Sequence, residues 1–114
     1  MATTSRETTH FEVLLASYRG EQYLGEMLRS VLTQVDVDCR VLISDDFSVT
    51  QTSQFLLDLA IPTDKIRLIT GPKKGVNANF LHLIHQASSA NLFAYADQDD
   101  VWLPQKLHAA QTAL

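Results

Sequence analysis

Three short runs in this 114-residue sequence carry the side chains best suited to chemistry. The densest is Asp97-Gln98-Asp99-Asp100, which follows the apolar stretch Leu92 to Ala96. Two carboxylates one residue apart at the end of a strand can both turn toward one hard cation. Mg²⁺ and Mn²⁺ take oxygen ligands in octahedral arrangement and commonly share them with substrate phosphates. Asp97 and Asp99 are therefore the candidate ligands of a Mn²⁺ or Mg²⁺ ion. The competing explanation is an acidic turn that caps the next helix. The apolar strand before the run and Val101-Trp102-Leu103-Pro104 after it favour the metal. The second run is Asp45-Asp46-Phe47-Ser48. A carboxylate at a strand end can accept the N3–H of uracil or thymine, or it can build an Asx-turn or a helix cap. The third is Ser17-Tyr18-Arg19-Gly20. Backbone groups here could cradle a base or ribose, with Tyr18 stacking on the base and Arg19 approaching phosphate. Surface packing is the alternative for each.

Other candidates carry less. Lys73 and Lys74 read as a solvated basic turn, and Gly71 to Gly75 lacks the spacing of a phosphate-binding loop. His82 and His85 stand three apart on a helix with no carboxylate or cysteine partner, which is a poor metal site.

The elements that must position these residues follow from periodicity. Phe11 to Ser17, Arg40 to Ser44, Ile66 to Thr70 and Leu92 to Ala96 read as strands. The contiguous Val41, Leu42 and Ile43 suit a strand covered on both faces. Between the strands lie helical patterns. Glu21 to Gln34 places Tyr23, Leu24, Met27, Leu28, Val31 and Leu32 on one stripe, with Gly25 off it. Thr52 to Leu59 is a short helix with Ser48, Thr50 and Thr52 as possible caps. Asn77 to Ser88 aligns Phe80, Leu81, Ile84 and Ala87. Pro104 opens a last helix burying Leu103, Leu107, Ala110 and Leu114.

Four consecutive β-α units imply a Rossmann-like α/β fold: a mainly parallel sheet with helices on both faces and strand order 3-2-1-4. Ligands of such sheets bind beyond the carboxyl ends of the strands, where strand order reverses. All three chemical runs fall at such ends. Five carboxylates, from Asp45, Asp46, Asp97, Asp99 and Asp100, are expected to converge there, and like charges so gathered call for a cation.

Composition narrows the function. Nine Lys and Arg against thirteen Asp and Glu give a net charge of -4, with no basic run. Nucleic acid is therefore excluded as a main partner, since phosphate backbones are gripped by clustered cations. The single cysteine, Cys39, forms no internal disulfide and is assigned to packing. Residues 1–10 are polar and read as a disordered tail, and 11–114 as one domain. No segment reaches the roughly 20 apolar residues of a membrane helix. The expected location is cytoplasmic, with peripheral attachment to the inner face of the membrane possible through further sequence.

Taken in order, the motifs resemble those of family 2 glycosyltransferases, over about residues 11–114. Ser17-Tyr18-Arg19-Gly20-Glu21-Gln22-Tyr23-Leu24 looks like the family's opening motif, usually Thr-Tyr-Asn and then Tyr-Leu. Ser30-Val31-Leu32-Thr33-Gln34 is similar to the end of its first helix. Asp45-Asp46-Phe47-Ser48 matches its Asp-Asp-x-Ser. Asp97-Gln98-Asp99-Asp100-Val101-Trp102-Leu103-Pro104 matches its Asp-x-Asp region, in wording like bacterial rhamnosyltransferase-type members. Arg19 stands where Asn is common, and Gly75-Val76-Asn77-Ala78-Asn79 matches the family's Gly-x-x-x-Ala-x-Asn only in part.

The resemblance implies the nucleotide-diphospho-sugar transferase fold. It implies a metal-dependent inverting transfer of a sugar from a UDP- or dTDP-sugar to an acceptor hydroxyl, in polysaccharide or cell-envelope synthesis. Asp46 would bind the uracil or thymine ring. Asp97 would lie against ribose or the metal-bound diphosphate, and Asp99 would ligate the metal. Tyr18 would line the base pocket, with Ser17, Arg19, Asp45 and Asn79 completing the donor site. The saccharide or lipid-linked acceptor and the general base belong to a later part of the family's sequence. The expectation is therefore a donor-binding fragment with no catalytic residue of its own and little transfer activity. An open edge at the fourth strand would invite self-association. Two alternatives stand beside this reading: a non-catalytic nucleotide-binding module of the same fold, and a nucleotidyltransferase. The latter usually has a Gly-rich basic loop after strand 1, of which Tyr18-Arg19-Gly20 is a poor version. A phosphoacceptor receiver domain fits less well, because its acidic pair should follow strand 1 rather than strand 2.

Overall fold

The computed structural model describes residues 10–35, 37–87, 92–97, 103–104 and 106–112, apart from the side chains of Glu21, Leu92, Asp97, Gln111 and Thr112. The expected polar tail lies almost wholly outside these residues. In chain order the elements are β1 (His10–Ser17), α1 (Glu21–Leu32), β2 (Asp38–Asp45), α2 (Val49–Asp58), β3 (Ile66–Thr70), α3 (Val76–Gln86), β4 (Leu92–Asp97) and α4 (Lys106–Thr112). The four strands form one parallel sheet in the order β3-β2-β1-β4, as the β-α alternation predicts.

Alternation along the strands divides the core in two. Phe11, Val13 and Leu15 of β1 share a face with Cys39, Val41 and Ile43 of β2. There they meet Leu24, Met27, Leu28 and Val31 of α1, Leu56 of α2 and Leu107 of α4. Leu14 and Leu42 point the other way, onto Leu83 of α3. Cys39 is part of the first cluster, and burial pushes its thiol up to about 11. The thiolate is thus suppressed at neutral pH, as befits a packing residue.

Helix boundaries and faces depart from the sequence pattern in places, each for a physical reason. Gly25, expected off the buried stripe of α1, is buried where α1 meets the end of α2. A Cβ there would stand 2.6 Å from Leu59 Cδ1. Tyr23, expected on the stripe, is exposed. The close approach of the two helices rotates α1 toward its glycine. α2 begins three residues earlier than expected because Ser48 is its N-cap, its hydroxyl accepting Gln51 N–H at 3.1 Å. α3 is rotated furthest from expectation. It buries Asn79 and Leu83, while Leu81 and Ile84 are exposed. Asn79 can be buried because its Nδ2 donates to Ser44 O at 2.9 Å, which satisfies the donor end of a polar group in the core. Leu103 and Ala110, expected to be buried, are exposed, and α4 starts two residues after Pro104.

The segment that leads into α4 is held by a residue that the pattern did not single out. Gln34, 7% exposed, donates from Nε2 to Leu103 O at 2.7 Å and accepts Leu107 N–H on Oε1 at 2.9 Å. Val35 N adds a bond to Pro104 O at 2.8 Å. The end of α1 thereby anchors the chain on the far side of the Asp97 to Asp100 run. β3 and β4 are the two edges of the sheet. Beside β4, Phe93 and Tyr95 are about half exposed, next to Ile84. Among the described residues no helix is long and apolar enough to cross a membrane.

Candidate donor-binding site

The strand register brings the chemical runs to one rim. Ser17 pairs with Asp45, Asp45 with Thr70, and Ala16 with Asp97. The carboxyl ends of all four strands are therefore level. Main-chain bonds carry the ladder one step further, from Asp46 N to Ser17 O at 2.9 Å and from Gly71 N to Asp45 O at 2.8 Å. The reversal of strand order, where ligands of such sheets bind, falls between β1 and β4.

The two adjacent aspartates of β2 and its loop have opposite surroundings. Asp45 is 1% exposed. Its Oδ1 accepts Phe47 N–H at 2.9 Å and its Oδ2 accepts the Thr52 hydroxyl. It shares the strand face of Val41 and Ile43, packed under α2. Its carboxylate closes an Asx-turn and ties α2 to the sheet, with both oxygens bonded within the protein. Asp46 is only partly buried. Its Oδ1 accepts Lys73 N–H at 2.8 Å, and its Oδ2 has no partner among the described residues. One oxygen is thus fixed by the backbone of the β3–α3 turn, and the other is left for a donor.

The ends of the strands and α3 also carry buried polar atoms. Ser17 Oγ, Ser44 Oγ and Asn79 Oδ1 are buried and have no hydrogen-bond partner among the described residues. Buried acceptors and hydroxyls are nearly always paired, so three orphans near one strand rim call for an explanation such as a ligand or ordered water. Ser17 and Asn79 were singled out by sequence; Ser44 was hidden inside an apolar run.

Tyr18 and Arg19 form the outer wall. Tyr18, 56% exposed, meets the Phe47 ring edge-on at 5.5 Å. Arg19 adopts φ 51° and lays its guanidinium 4.2 Å from the Phe47 ring centre and 5.8 Å from that of Tyr18. These are cation–π distances. The left-handed backbone of a non-glycine residue is uncommon and found often at functional turns. Phe47 therefore belongs to this wall, a role that its place among the polar residues of the Asp45 to Ser48 run did not reveal.

Asp97 ends β4 beside Ala16, which puts its backbone at the same rim as Ser17 and Asp46. Gln98, Asp99 and Asp100 lie outside the described residues. Among the described residues no group of three or more His, Cys, Asp or Glu gathers to hold a metal ion. His82 and His85 form no such group either.

Comparison with known proteins agrees with this architecture. The sequence model of Glycosyl transferase family 2 matches residues 12–114. The dTDP-rhamnosyl transferase RfbG of Shigella flexneri is 32% identical over 101 residues, which cover 84% of this chain and 35% of that protein. The UDP-Glc:alpha-D-GlcNAc-diphosphoundecaprenol beta-1,3-glucosyltransferase WfgD of Escherichia coli is 26% identical over 95 residues, covering 83% of this chain and 37% of that one. Among solved structures, S. aureus TarS 1-349 superposes with a TM-score of 0.72 at 22% identity, over 91% of this chain and 32% of that chain. A complex of the same TarS piece with UDP gives 0.70. The chain spans about a third of the length of these relatives.

Proposed function

This chain belongs to glycosyl transferase family 2, and we propose that it is the nucleotide-sugar-binding part of a metal-dependent, inverting glycosyltransferase that uses a UDP- or dTDP-sugar. The observation that carries the reading is Asp46. It sits at the strand rim with one carboxylate oxygen fixed by Lys73 N–H and the other unpaired among the described residues. A carboxylate held in this way is an acceptor aimed by the main chain. Uracil and thymine both offer an N3–H to it; cytosine offers only a lone pair at that position. The dTDP and UDP in the names of the two relatives carry those two bases.

Tyr18 would cover the base, while Ser17 Oγ and Asn79 Oδ1, the buried unpaired groups at the rim, would serve the nucleoside. Arg19 would leave the Phe47 ring to reach the diphosphate. Asp45 acts through the fold, by fixing the turn that presents Asp46. Asp97 and Asp99 would hold Mn²⁺ or Mg²⁺, hard oxygen donors for a hard cation, and such an ion neutralises charge on a departing diphosphate. The acceptor, saccharide or lipid-linked, and the general base are assigned to parts of the relatives' length that this chain does not span. A cytoplasmic place of action, at the inner face of the membrane for the longer protein, fits a chain with one buried unpaired cysteine.

Titration calorimetry with UDP and CDP, in Mn²⁺, tests the reading. The expected result is UDP binding at least tenfold tighter than CDP, the ratio that follows from one well-placed hydrogen bond to a charged group. Equal affinities would refute the assignment of Asp46 to the base.

A further inference from the structure

Gly71 has an ordinary backbone. Among the glycines it is Gly75 that adopts positive φ, at 98°. Gly71 is not at positive φ, and the Pro72 that follows it disfavours the helical region, so its backbone is open to an L-residue. Conformation therefore gives no reason for glycine at this position. Space does. A Cβ on Gly71 would overlap Asp46 Oδ1 and would stand 3.0 Å from both Asp46 Cγ and Asn79 Oδ1. The volume that a side chain would occupy is filled by the Asp46 carboxylate and bordered by the Asn79 amide oxygen. Both are groups that the preceding argument gives to the donor. Gly71 also anchors the turn, its N–H donating to Asp45 O at 2.8 Å. Two residues on, Lys73 N–H holds Asp46 Oδ1.

We infer that Gly71 is a positioning residue of the donor site, one that fixes the Asp46 carboxylate by leaving it room against the β3–α3 turn. The inference rests on the assignment of Asp46 to the nucleotide base. With any larger residue at position 71, the carboxylate must rotate off Lys73 N–H, and its free oxygen no longer faces the base. The effect falls on ligands that use Asp46 and spares those that do not. Gly71 is thus tied to base selectivity rather than to nucleotide binding in general.

The test is the affinity of the full 114-residue chain for UDP and for CDP, in the parent and in Gly71→Ala. UDP binding is expected to weaken at least tenfold while CDP binding stays within about twofold, so that the two become similar. A parent that does not distinguish UDP from CDP removes the base assignment and this inference with it. A parent that prefers UDP, with Gly71→Ala keeping that preference, overturns the inference alone. If Gly71→Ala does not fold, the pair Gly71→Ala/Asp46→Ala decides. Removing the carboxylate vacates the overlapped space, so the double variant should fold like Asp46→Ala by circular dichroism and thermal melting. A double variant that stays unfolded shows that glycine is needed for some other reason.

Discussion

Asp45 and Asp46 are neighbours with the same side chain and different surroundings, and one pair of substitutions tests the separate tasks proposed for them. In Asp45→Asn the amide oxygen still accepts Phe47 N–H, but without the charge, and the amide nitrogen meets the Thr52 hydroxyl. The threonine must then turn from donor to acceptor. A hydrogen bond to a charged group contributes about 1.5–3 kcal/mol and one between neutral groups about 1 kcal/mol, so two weakened bonds lose roughly 1–4 kcal/mol. In a domain of this size that lowers Tm by about 10 °C. UDP affinity should stay within about twofold, because the group faces the core. Asp46→Asn should do the reverse. Lys73 N–H keeps the amide oxygen in the Oδ1 position, so the amide nitrogen takes the place of Oδ2. A donor there opposes the N3–H of uracil and suits the N3 lone pair of cytosine. Stability should change by less than about 1 kcal/mol, as for most partly exposed sites. UDP should lose roughly tenfold or more in affinity, and CDP should gain. Thermal melting of both variants, with calorimetry against UDP and CDP, checks these outcomes. An Asp45→Asn variant that melts like the parent, or that folds and loses UDP, refutes the structural role of Asp45. An Asp46→Asn variant that leaves the order of UDP and CDP unchanged overturns the assignment of Asp46 to the base.

Two further outcomes are expected. At the opposite end of the sheet Asp38 is bonded to Lys65 Nζ at 2.8 Å and to His10 Nδ1 at 2.9 Å, and the Lys65 bond, then His10, hold its carboxyl below the ordinary value. A carboxyl lowered on folding stabilises above its unfolded pKa, and this contribution is lost as pH falls through the lower folded value. Asp38→Asn should thus lose about 0.2–1 kcal/mol at pH 7, the range of surface pairs, and the gap to the parent should close below roughly pH 4 in urea titrations. Half-exposed Phe93 and Tyr95 lie on β4, the edge strand of the sheet among the described residues, and pairing between copies of this chain should make the mass from light scattering rise with concentration. A constant monomer mass would contradict it.

What the sequence made legible is set by period and punctuation. The strands stand out because Val41, Leu42 and Ile43 are apolar on both faces, and each is followed by polar residues that break the run. β-α alternation then gives a parallel sheet, and its order is the usual one for such units, 3-2-1-4. The phase of α3 was not legible. Its apolar residues allow two helical faces, and the choice is made by Asn79, a polar residue buried because Ser44 O meets its amide. Asp45 and Asp46 could be told apart only through alternation. A strand that sends Val41 and Ile43 toward α2 sends Asp45 there as well, and a buried carboxylate needs a donor, which Thr52 supplies. Gly71 was read as part of a turn because Gly-Pro is a turn signal. That its hydrogen matters through a contact 25 residues back along the chain is a tertiary fact with no local trace.

These particulars share a cause. The groups that hold Asp46 are mostly main chain: its own N–H on Ser17 O, its Oδ1 on Lys73 N–H, and the Gly71 N–H on Asp45 O. Main-chain groups are present whatever the side chains, so a site aimed in this way persists while the residues around it change. The exception is a position where the side chain itself must be absent. Substitution should therefore be tolerated at Lys73 and Thr70, which contribute backbone to the rim, and not at Gly71, whose contribution is the space that any other residue would fill. On the proposed reading, base selectivity at the rim rests on Asp46, which carries the charge, and on Gly71, which makes way for it.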